Sequence, residues 1–86
     1  MIIHEEAKHR FIIQKSEGLC YLEYDLEGSV CTVLHTVVPE SLSGQGLAGK
    51  LAAAFYDWAT SQGYHIQSDC SYMTGWMKRK GLGNRD

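Results

Sequence analysis

The only proline of the chain, Pro39, falls between a β-branched run at 30–38 and a glycine-rich stretch that opens a helical period. That succession of strand, loop, helix and strand limits the fold more than any other feature. Within the first run, Val30, Leu34 and Val38 share one set of alternate positions and Cys31, Val33, His35 and Val37 the other, a pattern that predicts a central strand covered on both faces. Pro39 ends it, because proline cannot donate to a strand ladder. From Leu47 the period becomes helical: Leu47, Leu51, Ala54, Phe55 and Trp58 fall on one stripe, and Lys50, Asp57 and Ser61 face away. Gly63 stands where a left-handed residue closes a helix, and 64–68 reads as a short strand. A helix joining two strands of one sheet makes a right-handed crossover, so the two strands run parallel. Ligands of such sheets bind at the carboxyl ends of the strands, here Val37-Val38 and Asp69-Cys70.

Ahead of the crossover, residues 10–14 read as a first strand and Glu17-Gly18 as a turn. In 19–26, Cys20, Leu22, Tyr24 and Leu26 alternate with Tyr21, Glu23 and Asp25, as expected of an antiparallel strand wet on one face. Glu27-Gly28 supplies the next turn. Residues 71–80 form a last helix, with Tyr72, Met73, Trp76 and the Lys80 stem packing inward. The expected fold is a mixed α/β sheet: three antiparallel strands, a helix, a parallel strand and a C-terminal helix. One domain is expected over 1–80, followed by a flexible glycine-rich tail at 81–86. A chain of 86 residues buries only a little over ~60% of its unfolded surface, so the core is small.

At 44% hydrophobic and 21% charged residues the chain folds rather than staying disordered, and its net charge of −2 gives no reason to expect nucleic-acid binding. The one basic cluster, Lys78-Arg79-Lys80, is either a solvated helix end or a contact for a ligand phosphate. Three cysteines, Cys20, Cys31 and Cys70, cannot all pair within one chain, and no apolar signal segment precedes the first strand; reduced thiols of a cytoplasmic protein are expected, with no membrane association. His4, His9, His35 and His65 are scattered and no C-x-x-C or H-x-x-x-H occurs, so no metal site is expected.

The chemistry concentrates in Ser43-Gly44-Gln45-Gly46-Leu47-Ala48-Gly49, where glycines precede a helix start. Glycines let backbone approach a ligand, and the helix N-terminus favours an anion; a flexible loop without a ligand remains the alternative. The run is neither a Walker loop nor a dinucleotide fingerprint. It resembles the Q/R-x-x-G-x-G/A pyrophosphate motif of the Gcn5-related N-acetyltransferases, with Gly46 and Ala48 at the last two fixed positions and Ser43 in place of Gln or Arg. The wider stretch from His35-Thr36-Val37-Val38-Pro39-Glu40 to Leu51, followed by Asp69-Cys70-Ser71-Tyr72, resembles the small single-domain YjdJ-type subfamily; Ser68 stands where that subfamily often has proline.

The resemblance implies acetyl-CoA as ligand and an unidentified amine as acceptor, in a shortened fold without the helical pair that shapes an acceptor pocket in larger relatives. It places the backbone of Thr36, Val37 and Val38 on the pantetheine arm and amides from Ser43, Gly44, Gln45, Gly46, Leu47, Ala48 and Gly49 on the pyrophosphate. Cys70 is either a packed small hydrophobe or a thiol beside the thioester, where a helix start favours the thiolate. His35 is either structural or the base that deprotonates thiol or amine. Acetyl transfer, direct or through Cys70, is the expected activity. A non-catalytic coenzyme A-binding module and a plain interaction domain are the alternatives, and the sequence specifies no oligomeric state.

Overall fold

Alternating apolar positions over the first half of the chain build four strands of a five-stranded sheet in sequential order, seen in a computed structural model that describes residues 1–82. Strands β1 (Ile3–Glu5), β2 (Arg10–Lys15), β3 (Gly18–Glu27) and β4 (Val30–Val37) pair antiparallel. Helix α1 (Leu47–Ser61) then crosses to β5 (His65–Ser68), which runs parallel to β4, and α2 (Ser71–Arg79) ends the fold. Gly63, at φ 79, stops α1, and the Tyr64 N–H closes the turn on Ala59 O at 3.0 Å.

Both helices cover the same face. Leu51, Ala52, Phe55 and Ala59 of α1 and Met73, Trp76 and Met77 of α2 join Phe11, Leu22, Tyr24, Cys31 and Val33 of the sheet in one core. The Phe11 and Phe55 rings meet edge to face at 6.1 Å, and Tyr56 of α1 meets Trp76 of α2 at 5.9 Å.

Three expectations change. Strand β1 has no counterpart in the sequence pattern, because three residues are too few to show a period. It enters through a 3-10 turn at Glu6–Lys8 and His9 in the left-handed region at φ 54. The benefit lies in His4, whose ring stacks on Phe11 at 4.0 Å and meets the edge of Trp58 at 4.5 Å. Its Nε2 lies 2.7 Å from Tyr24 Oη. Burial pushes the Tyr24 phenol up to about 12, so the hydroxyl keeps its proton, and the imidazole tautomer sets which of the two groups donates.

The second change concerns β4, which is covered on one face only. Glu23 pairs with His35 and Tyr24 with Val33, leaving Leu34 as an extra residue in a β-bulge. The bulge reverses the alternation. Cys31 and Val33 point to the helices, but His35 and Val37 point away from them and are exposed, while Thr36 turns inward. The third change is at the C-terminus: Gly81 and Leu82 belong to the folded body. The Leu82 N–H bonds Met77 O at 2.7 Å and its side chain packs on the core. The rest of the expected tail, 83–86, lies outside the described residues.

Candidate functional site

Past β4, the chain turns through a 3-10 segment at Glu40–Leu42, with Leu42 N–H bonded to Pro39 O at 2.9 Å and Ser43 N–H to Glu40 O at 3.1 Å. Leu42 is fully buried in the core and anchors the loop that follows. Gly44 and Gly46 both take left-handed backbone, at φ 82 and 73, which a side chain would strain. These two steps aim the chain into α1. Gly46 is its N-cap, no side chain caps it, and its carbonyl accepts the Lys50 N–H at 3.1 Å. The amides that open α1 therefore have no intrahelical carbonyl to bond, and the first turn holds no acidic side chain.

At this helix start lies a cleft of about 270 Å³ lined by Val38, Leu42, Ser43, Gly44, Gly46, Leu47, Ala48, Gly49 and Tyr72. Six of the seven loop residues expected to bind pyrophosphate meet here; Gln45 is exposed and outside the lining. A Cβ built on Gly49 would stand 3.3 Å from Tyr72 Oη, and one built on Gly44 or Gly46 would meet nothing within 4 Å. The Arg79 guanidinium lies over the Tyr72 ring, 5.7 Å from its centroid. Tyr72 packs on the core as expected and in addition lines the cleft, a second contact that the helix pattern alone does not announce.

Beside the cleft, the parallel ladder ends at Val33–Ser68 while β4 runs on to Val37. Asp69 N–H to Val33 O, at 2.8 Å, is the last bond holding the two together. Ser68 then turns the chain: its hydroxyl donates to Cys70 O at 2.8 Å and accepts from Cys70 N–H at 3.2 Å and from the Thr74 hydroxyl at 3.0 Å. Cys70 becomes the N-cap of α2, with Sγ 3.5 Å from Thr36 Oγ1. It is 9% exposed, against 0% for Cys20 and Cys31. Burial, and secondarily Asp25, pushes the Cys31 thiol up to about 11. Thr36 and Cys70 are thus brought together at the carboxyl ends of β4 and β5. His35 is not: the bulge turns it to the far side of the sheet, so the expected imidazole–thiol pair does not form. Among the described residues, no group of three or more His, Cys, Asp or Glu could hold a metal ion, and no helix is long and apolar enough to cross a membrane.

The chain matches the GCN5-related N-acetyl-transferase family over residues 10–82. Its fold is similar to the solution structure of a GCN5-like N-acetyltransferase candidate from Staphylococcus aureus, with a TM-score of 0.74 and 25% identity, covering 93% of this chain and 79% of that one. The family match takes in β2 to β5, both helices and every residue of the cleft, and the chain belongs to the GCN5-related N-acetyltransferases.

Proposed function

We propose that the cleft between the glycine loop and Tyr72 binds acetyl-coenzyme A and that the chain transfers the acetyl group to an amine, as a member of the small YjdJ-type branch of the family. The observation that carries this reading is the cradle itself. Two left-handed glycines with open space above them precede uncapped amides at a helix start, a fit for a pyrophosphate that a side chain at 44 or 46 would spoil. Ser43, Gly44, Gly46, Leu47, Ala48 and Gly49 hold the pyrophosphate by their amides, and exposed Gln45 contributes backbone only. Backbone of Thr36, Val37 and Val38 holds the pantetheine arm where β5 has left β4.

When bound, the coenzyme supplies a thioester-activated acetyl group. Backbone N–H groups at the end of β4 steady the developing oxyanion. Cys70, beside Thr36 in the split between the strands, serves as an acyl relay or as a wall for direct transfer; His35, on the other face, stays outside the chemistry. The three free cysteines support a reducing compartment such as the cytoplasm.

A second reading, coenzyme A binding without turnover, is favoured by the hydroxyl rather than imidazole neighbour of Cys70. Intact mass after incubation with acetyl-CoA and a panel of amines separates the two. Acetylated amine supports the transferase, and a bound coenzyme with no acetylated product supports the binding module.

A further inference from the structure

The helix-free face of the sheet carries a cross-strand row that the cleft does not use. Ile3 pairs with Ile12, Ile12 with Tyr21 and Tyr21 with Val37, so four apolar side chains stand side by side across β1 to β4. The row spans about 14 Å at the usual strand spacing. Its ends are open, Ile3 at 47% and Val37 at 38% exposed, and Ile12 in its middle is only 7% exposed although no helix lies above it. A wet sheet face normally presents polar alternates, so an unbroken apolar row marks a contact surface.

The adjacent row identifies the occupant. Glu5 pairs with Arg10, Arg10 with Glu23 and Glu23 with His35, so one cation stands between two carboxylates with an imidazole at the end of the row, and Arg10 already bridges Glu5 within the chain. A second copy laid face to face about a twofold axis parallel to the strands reverses the order across the sheet. Arg10 then faces the second copy's Glu23, Glu5 faces its His35, Ile3 faces its Val37, and Ile12 faces its Tyr21. Each Arg10 meets a Glu23, each Glu5 an imidazole that can donate to it, and each apolar residue another apolar one, the self-complementarity that an isologous interface requires.

We infer that the chain forms a twofold dimer through this helix-free face, with the Ile3–Ile12–Tyr21–Val37 row at its centre and the Glu5–Arg10–Glu23–His35 row setting its register. The test is sedimentation velocity of the whole chain across micromolar to near-millimolar concentration. Wild type is expected to sediment as a dimer at the upper end, and Ile3→Glu as a monomer throughout. Arg10→Glu and Glu23→Arg are each expected to be monomeric, because each sets like charges face to face. An equimolar mixture of those two variants regains the dimer, since acidic pairs on one subunit then meet basic pairs on the other. Melting followed by circular dichroism establishes that each variant is folded. A wild type that is monomeric at every concentration overturns the inference. So does a dimer that survives Ile3→Glu, or a mixture of the two charge variants that stays monomeric although both are folded.

Discussion

Gly49 lets stability and ligand binding be moved in opposite directions by one methyl group. It is the third residue of α1 and lies in regular helical backbone, where alanine is favoured over glycine by up to about 1 kcal/mol in a helix interior and by roughly half that in a first turn. Against this stands the contact its Cβ would make with Tyr72 Oη at 3.3 Å. That oxygen is the far end of a half-buried side chain and yields a few tenths of an ångström at little cost. Gly49→Ala is therefore expected to leave the fold unchanged or stabilise it by at most about 1 kcal/mol, a rise of a few degrees in Tm for a domain of this size. The same methyl projects into the cleft between the helix start and Tyr72. Coenzyme A affinity should fall by tenfold or more, about 1.4 kcal/mol, in titration calorimetry. A Gly49→Ala protein that melts at or above the wild-type temperature and still binds coenzyme A with wild-type affinity would refute the placement of the ligand.

Gly46→Val should lose coenzyme A binding and also several degrees of Tm, because leaving φ 73 to a side chain costs on the order of 1–2 kcal/mol; normal affinity in the folded variant would put the ligand elsewhere. Cys70 should alkylate with iodoacetamide before Cys20 and Cys31, and saturating coenzyme A should protect it, as read by peptide mass; a Cys70 as slow as the other two and indifferent to ligand would remove it from the site. Burial lowers the His4 pKa below 6.5, with Glu6 raising it and His9 lowering it to a lesser extent, so the unfolded chain takes up the proton first. Stability is then complete above about pH 6.5 and falls as pH drops toward the folded value, and His4→Phe should flatten the decline in Tm between about pH 7.5 and 5.5; equal slopes in both proteins would contradict this.

The crossover was legible because each of its parts carries its own local signal: β-branched alternation, a proline stop, paired glycines, a 3.6-residue stripe and a closing glycine. The glycine loop of the cleft was legible for the same reason. Two features were not. The bulge at Leu34 arises from a register mismatch between β3 and β4, a property of the pair and not of either strand, and it moved His35 and Val37 to the face opposite the one that alternation from Cys31 and Val33 implies. Strand β1 pairs with β2 and is anchored by the His4 imidazole against Phe11 and Trp58, and nothing in three residues announces those contacts. Tyr72 packs on the core as its helix pattern implies and also lines the cleft, a contact set by where α1 begins and not by any pattern within α2.

Coenzyme A held at the Gly44–Gly46 cradle would be seen by amide chemical-shift mapping on uniformly labelled protein titrated with the coenzyme. Shifts are expected to concentrate at Val38, at Ser43 to Gly49 and at Tyr72, together with a stabilisation that reaches about 2.7 kcal/mol at a hundredfold excess over Kd. Spectra and melting temperature unchanged at millimolar coenzyme A, or shifts centred away from that cleft, would contradict that placement.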